Sequence, residues 1–197
     1  MNVYTPGAPG DGYGYGYVPD PLYDSAGRQP PPRKQQMVIM VGLPKSGKTT
    51  RARERYQQQG FTRVCPDDLR MALYGQRFIA TMERFVWAIA ETMCRTLLYG
   101  GHNVVIDATN LTLEGRKRWL LLAHESEAQV TVEIMDTPVE QCLARNAQEE
   151  NINSQVPPAI ITEMVTSFEQ PRLLDSPRII GIWSIMGERA VKLDGPS

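Results

Sequence analysis

The stretch Met37-Val-Ile-Met-Val-Gly-Leu-Pro-Lys-Ser-Gly-Lys-Thr49 places a short, β-branched apolar run directly before a glycine loop. Five apolar residues ending at a glycine read as a buried strand. The loop Gly42-Leu43-Pro44-Lys45-Ser46-Gly47-Lys48-Thr49 fits the spacing GxxxxGK[ST], and Thr50 lies in the predicted helix that follows, Lys48 to Gln59, closed by Gly60. Each part has a chemical reason. The glycines let backbone amides turn inward around phosphate oxygens. The helix N-terminus adds its dipole. Lys48 reaches the β and γ phosphates, and the Thr49 hydroxyl binds Mg²⁺. The loop therefore predicts binding of ATP or GTP with Mg²⁺. Lys45 is a second cation inside it, more readily a solvent-facing side chain than a catalytic one.

Beyond this loop, strands alternate with helices. FTRVC (61–65) is a predicted strand, and PDDLRMALYG (66–75) a short helix. Residues 78–99 form a long helix ended by Gly100-Gly101. NVVIDAT (103–109) and residues 129–135 are further strands, with helices over 113–126, 137–148 and 158–168 and a last strand over 178–185. This alternation predicts an α/β fold of P-loop NTPase type. It has three layers, α/β/α, around a mainly parallel five-stranded sheet, with right-handed crossovers.

Composition divides the 197-residue chain. Residues 1–36 hold seven prolines, six glycines and five of the eight tyrosines, too little apolar area to offset ordering entropy. They predict a flexible leader, or an arm that touches a partner by stacking, before a catalytic domain over 37–193. Lys plus Arg is 21 and Asp plus Glu 22, which excludes a wholesale basic DNA-coating protein but leaves room for a local basic groove. The apolar runs are far shorter than the ~20 residues of a membrane-crossing helix. Cys65, Cys94 and Cys142 are too widely spaced for a disulfide framework or zinc knuckle and fit a reducing, cytoplasmic setting.

Phosphoryl transfer to a hydroxyl needs a carboxylate that accepts the proton. Val64-Cys-Pro-Asp67-Asp68-Leu-Arg70 offers one at the end of a strand, where sheet sites cluster. Asp67 is either that base or a helix cap. Arg70, one turn on, can clamp an acceptor phosphate. Asp107, Thr109 and Asn110 follow the next strand and either bind substrate or tie loops together. Arg116, Lys117 and Arg118 form a cationic run whose default role is solubilising. Arg145 either faces the nucleotide or is an exposed helix arginine.

Taken together, GLPKSGKTT, PDDLRMALYG, VVIDATNLTLEGRKR, MDTPVEQCLARN and VPPAIITEMVTSFEQP resemble, in order, the kinase domain of the polynucleotide 5′-hydroxyl kinases of phage and repair enzymes. The resemblance covers about residues 37–175. It implies ATP and Mg²⁺ as cofactors, a 5′ end of DNA or RNA as acceptor, and a bacterial or phage-infected cytoplasm. It further implies Asp67 as general base, with Asp67 and Thr49 toward the metal. Arg70, Asp107, Thr109, Asn110 and Arg118 would lie on the acceptor side, and Arg145 over the nucleotide with Lys48. Related kinases act on hydroxymethylpyrimidines, nucleosides or small metabolites, and a non-catalytic ATP-binding scaffold is a further alternative. The length suggests phosphorylation alone, with no phosphatase or ligase beside it.

Overall fold

Alternate residues of the first strand face opposite sides of a sheet, and both sides are covered. In the computed structural model, which describes residues 34–76, 78–151 and 154–195, β1 (Gln36–Val41) is the central strand. Met37, Ile39 and Val41 pack with Ala90, Cys94, Trp119 and Leu120, whereas Val38 and Met40 pack with Ala52, Tyr56 and Phe61. An apolar run without alternation is what a strand buried on both faces requires.

The remaining elements are α1 (Lys48–Arg51), β2 (Thr62–Val64), α2 (Pro66–Tyr74), α3 (Glu83–Tyr99) and β3 (Val104–Ile106). They are followed by α4 (Leu113–Glu125), β4 (Gln129–Met135), α5 (Val139–Ala147), α6 (Pro158–Thr166), β5 (Ile179–Met186) and β6 (Arg189–Asp194). The strand order is β2-β3-β1-β4-β5-β6, parallel throughout except for the antiparallel β5–β6 pair. The sheet thus has six strands where the sequence pattern predicts five. The sixth comes from a two-residue turn at Gly187-Glu188, with Gly187 at φ 59°, which folds Arg189–Asp194 back along β5. Such tight hairpins select glycine at a left-handed position.

The predicted helix 48–59 is continuous but not uniform. After Arg51 it widens to a π-helical turn over Ala52–Tyr56 and tightens to a 3₁₀ turn over Gln57–Gln59. The wide turn brings Arg51 and Tyr56 onto one carboxylate, Glu133 of β4. Arg51 donates to it from Nε at 2.5 Å and Nη2 at 2.8 Å, and the Tyr56 hydroxyl donates at 2.5 Å. A buried acid inside a strand is costly unless fully paired, and this one is.

The leader drawn over 1–36 lies outside the described residues except for its last three, and of these Gln36 already belongs to β1. Among the described residues no helix is long and apolar enough to cross a membrane. All three cysteines are buried and free.

Arg116 departs from the solubilising role read for the cationic run. It is 1% exposed. Its Nη1 donates to the carbonyls of Asn110 and Leu111, and its Nη2 to that of Glu169. The Glu169 carboxylate in turn accepts from the Leu113 amide at the start of α4, beside the Thr112 hydroxyl that accepts from Gly115 N at 3.0 Å. Arg116 therefore ties the helix start to the Phe168-Glu169-Gln170-Pro171 segment. Arg116→Ala removes a donor from three carbonyls and takes a buried charge from 3.8 Å beside the Asp175 carboxylate, which keeps Arg172. It is expected to cost about 3 kcal/mol, read as a fall in denaturation midpoint. A change under about 0.5 kcal/mol would refute this role.

Candidate functional site

Ligands of open α/β sheets bind at the carboxyl ends of the strands, where neighbouring connections diverge. Here that place is the end of β1, between β3 and β4. The phosphate loop leaves β1 at Gly42, whose φ of 153° and close quarters suit glycine alone. A Cβ there would lie 2.9 Å from Ser46 Oγ and 3.0 Å from Met135 Cβ. Gly42 N donates to Thr109 O at 3.0 Å, and Thr137 Oγ1 donates to Ser46 O at 2.9 Å, so β3 and the β4–α5 connection both hold the loop.

Lys48 folds back onto its own loop. Its Nζ donates to Gly42 O at 2.9 Å and Leu43 O at 2.6 Å, and approaches Ser46 Oγ at 3.4 Å. Burial lowers its pKa to about 8, against the opposing pull of Asp107 and Asp67. The linked titration is testable. Phosphates favour the charged ammonium, so above pH 8 the nucleotide complex binds more protons than the free protein, and affinity falls as pH rises. Calorimetry in buffers of different ionisation enthalpy should show proton uptake on ATP binding at pH 9 and none at pH 6.5. Equal heats in all buffers at pH 9 would contradict the assignment.

The loop forms one wall of a cavity of about 1620 Å³. Pro44 to Thr50 line it, as do Asp67, Arg70, Asp107, Thr109 and Arg145. Most of the residues singled out in the sequence therefore meet around one space. Gly42 and Leu43 lie behind the loop and present carbonyls to Lys48. Asn110 is buried, with φ 48°; its Nδ2 donates to Met40 O at 2.8 Å and its Oδ1 accepts from Trp119 Nε1 at 3.0 Å. That is the loop-tying alternative. Arg118 is not among the lining residues either. It donates to Glu91 Oε1 at 2.9 Å and stacks at 4.4 Å on Trp87, which does line the cavity.

On the acceptor wall, α2 starts at Pro66 after Cys65, whose side chain makes no cap. Asp67 Oδ1 accepts from Arg70 Nη1 at 2.6 Å. Arg70 donates its other edge to Glu83 at 2.7 and 2.5 Å and lies against Trp87 at 5.6 Å. The guanidinium is thus fixed from three sides. Arg63, which sequence reasoning passed over, donates to Asp107 at 2.7 Å and to Asp68 at 2.5 Å. It links Asp107 to Asp68 and gives the Asp107 carboxylate, 4% exposed, a charged partner in its buried place. Its signal in the sequence was a lone arginine in a short strand just before the Asp67-Asp68 pair. On the third side Arg145 Nη1 donates to Lys45 O at 3.1 Å, and Lys45 Nζ meets Glu149 Oε2 at 2.5 Å. Lys45 is therefore half-buried and paired rather than solvent-facing.

Among the described residues no cluster of three or more His, Cys, Asp or Glu is built to hold a metal unaided. The Thr49 hydroxyl and the carboxylates of Asp67 and Asp107 do face the same cavity. Hard oxygen donors few in number suit Mg²⁺, which takes its remaining ligands from phosphate and water.

Residues 37–171 match the family described as AAA domain. The bifunctional polynucleotide phosphatase/kinase of Schizosaccharomyces pombe (strain 972) is 33% identical over 96 residues, which are 49% of this chain and 20% of that protein. The chain thus spans about a fifth of the length of this curated relative. A chain of the Pnkp1/Rnl/Hen1 RNA repair complex superposes with a TM-score of 0.62 at 28% identity, covering 68% of this chain and 44% of that one. The Mycobacterium tuberculosis APS kinase CysC, solved with AMPPNP and APS, shares the fold, with a TM-score of 0.56 at 20% identity over 81% of this chain and 91% of its own.

Proposed function

Because the chain belongs to the AAA domain family, we propose that it is a P-loop kinase that moves the γ-phosphate of ATP to the 5′-hydroxyl end of DNA or RNA. The observation that carries this reading is the pairing of Asp67 with Arg70 on a wall of the same cavity as Lys48 and Thr49. A base and a phosphate clamp, held together opposite a phosphate loop, suit an acceptor that carries a hydroxyl and a phosphate near each other. The relative from Schizosaccharomyces pombe, named as a polynucleotide phosphatase/kinase, supports the same acceptor class.

The chemistry follows from these side chains. The acceptor's 5′ oxygen attacks the γ-phosphorus as its proton passes to the Asp67 carboxylate. The bond from the γ-phosphorus to the β–γ bridging oxygen breaks, and ADP leaves. Lys48 turns from the carbonyls of Gly42 and Leu43 to the β and γ phosphates. Arg145, beside the loop backbone, offsets charge spreading over the transferred group. Arg70, immobilised by Glu83, holds the acceptor phosphate so that the hydroxyl lies at Asp67. Bound Mg²⁺, held through Thr49 and the phosphates, would neutralise charge on the β and γ oxygens.

The test is transfer from γ-labelled ATP with Mg²⁺ to four acceptors: 5′-hydroxyl DNA, 5′-hydroxyl RNA, hydroxymethyl-base DNA and free nucleosides. Label is expected on a 5′-hydroxyl polynucleotide. Label on free nucleosides alone would rule out the polynucleotide acceptor, and ATP binding without transfer to any of the four would leave a scaffold.

A further inference from the structure

Lys45 stands in the phosphate loop with φ 63°, a left-handed conformation that a non-glycine residue adopts only at an energetic cost. A lysine held there at that cost lines the cavity. Its ammonium does not point freely into it. It meets Glu149, just beyond α5, at 2.5 Å, with side-chain exposures of 18% and 29%. Glu149 is itself held: its Oε1 accepts from Asn151 N at 3.2 Å and its carbonyl from Gln155 Nε2 at 2.8 Å. Arg145 grips the Lys45 carbonyl from the neighbouring turn of α5. An acid is thus fastened to the rim of a loop whose remaining features attract anions.

We propose that Lys45 and Glu149 form an exchange pair for the donor's phosphates. Without nucleotide, Glu149 occupies the Lys45 ammonium. With ATP bound, the terminal phosphates take that ammonium, and Glu149 gives up Lys45 while its Oε1 stays with Asn151 N. The pair then discriminates by phosphate number. A nucleotide whose phosphates reach the loop tip competes with Glu149, and one whose phosphate stops short does not. A carboxylate left beside the polyphosphate also opposes it, so Glu149 keeps donor affinity below what the loop alone would give. This inference rests on the reading of the loop as an ATP site and is independent of which hydroxyl accepts the phosphate.

The experiment is a calorimetric titration of ATP, ADP and AMP, with Mg²⁺ and no acceptor, into the full chain and its Glu149→Gln, Lys45→Ala and Lys45→Ala/Glu149→Gln variants. Glu149→Gln should bind ATP about fivefold more tightly and AMP unchanged, since a half-exposed pair is worth up to about that factor. Lys45→Ala should bind ATP roughly tenfold more weakly. The double variant should bind ATP more tightly than Lys45→Ala. Weaker ATP binding by Glu149→Gln, an equal effect on ATP and AMP, or a double variant no tighter than Lys45→Ala would each overturn the exchange pair and leave a merely structural contact. Failure of the wild-type chain to bind ATP would instead remove the donor site itself. Binding without any 5′-end labelling would remove only the polynucleotide reading.

Discussion

Asp67→Asn lowers phosphoryl transfer to a 5′-hydroxyl end by about 10²- to 10⁴-fold, with ATP affinity nearly unchanged. The amide cannot take the proton, yet its oxygen can still accept from Arg70 Nη1, as the carboxylate does at 2.6 Å. Glu83 holds the opposite edge of Arg70 through two bonds, so the clamp stays in place. The substitution therefore separates proton removal from acceptor positioning, and the loss should fall on kcat rather than on acceptor KM. Asp67 lies one residue inside α2, after Pro66 at its first position. If it served only the helix N-terminus, the variant would lose a few tenths of a kcal/mol in stability and keep its rate. A loss of rate smaller than tenfold at saturating ATP would remove Asp67 as the base.

Lys48→Ala is expected to reduce transfer by about 10³-fold and to abolish most of the stabilisation that ATP confers. The measurement pairs a rate assay with thermal unfolding in the presence and absence of nucleotide. The two readouts should part company. Without ATP the variant should melt close to the wild type, because the buried ammonium is there at a cost that pulls its pKa down to about 8. With ATP only the wild type should gain. An equal gain in both proteins would mean that the loop does not hold the phosphates through Lys48.

The parts of the molecule that were legible in the sequence are those where local chemistry leaves little choice. An apolar run ending at Gly42 reads as a buried strand, and the spacing from Gly42 to Thr49 requires backbone amides around an anion. Strand β4 and helices α2 and α4 were placed to within about a residue by their apolar patterns and, for α2, by Pro66 and Gly75. What was missed depended on neighbours distant in the chain. Residues 189–194 mix polar and apolar side chains and are exposed along their length, so no buried face marked them as β6, although Gly187 before Glu188 was the turn signal. Arg116 stood at the head of a run whose other two cations face solvent more, and only the arrival of Glu169 from far along the chain explains its burial. Arg63 and Glu133 each looked like one polar residue in an apolar strand, and their partners Asp68, Asp107, Arg51 and Tyr56 come from other elements. Asn110 had two open readings, and its bond to the distant Met40 carbonyl, which fits the loop-tying one, could not be read from the chain order.

The strand order bears on how the chain is made as well as on how it works. Among the described residues β1 is the first strand in chain order, yet it lies between β3 and β4, pairing in register with Val104–Ile106 on one edge and with Gln129–Ile134 on the other. A newly made chain therefore carries an almost wholly apolar strand with both hydrogen-bonding edges open until β3 is made, and with one still open until the β4 segment emerges from the ribosome. Sheet pairings between segments so distant are slow to form, and such a strand is a ready nucleus for aggregation. The phosphate loop is framed only when β4 arrives, so nucleotide can rescue a folding chain late and never early. Production at low temperature, or with a chaperone that shields the β1 segment, should improve the soluble yield more than adding ATP to the lysate.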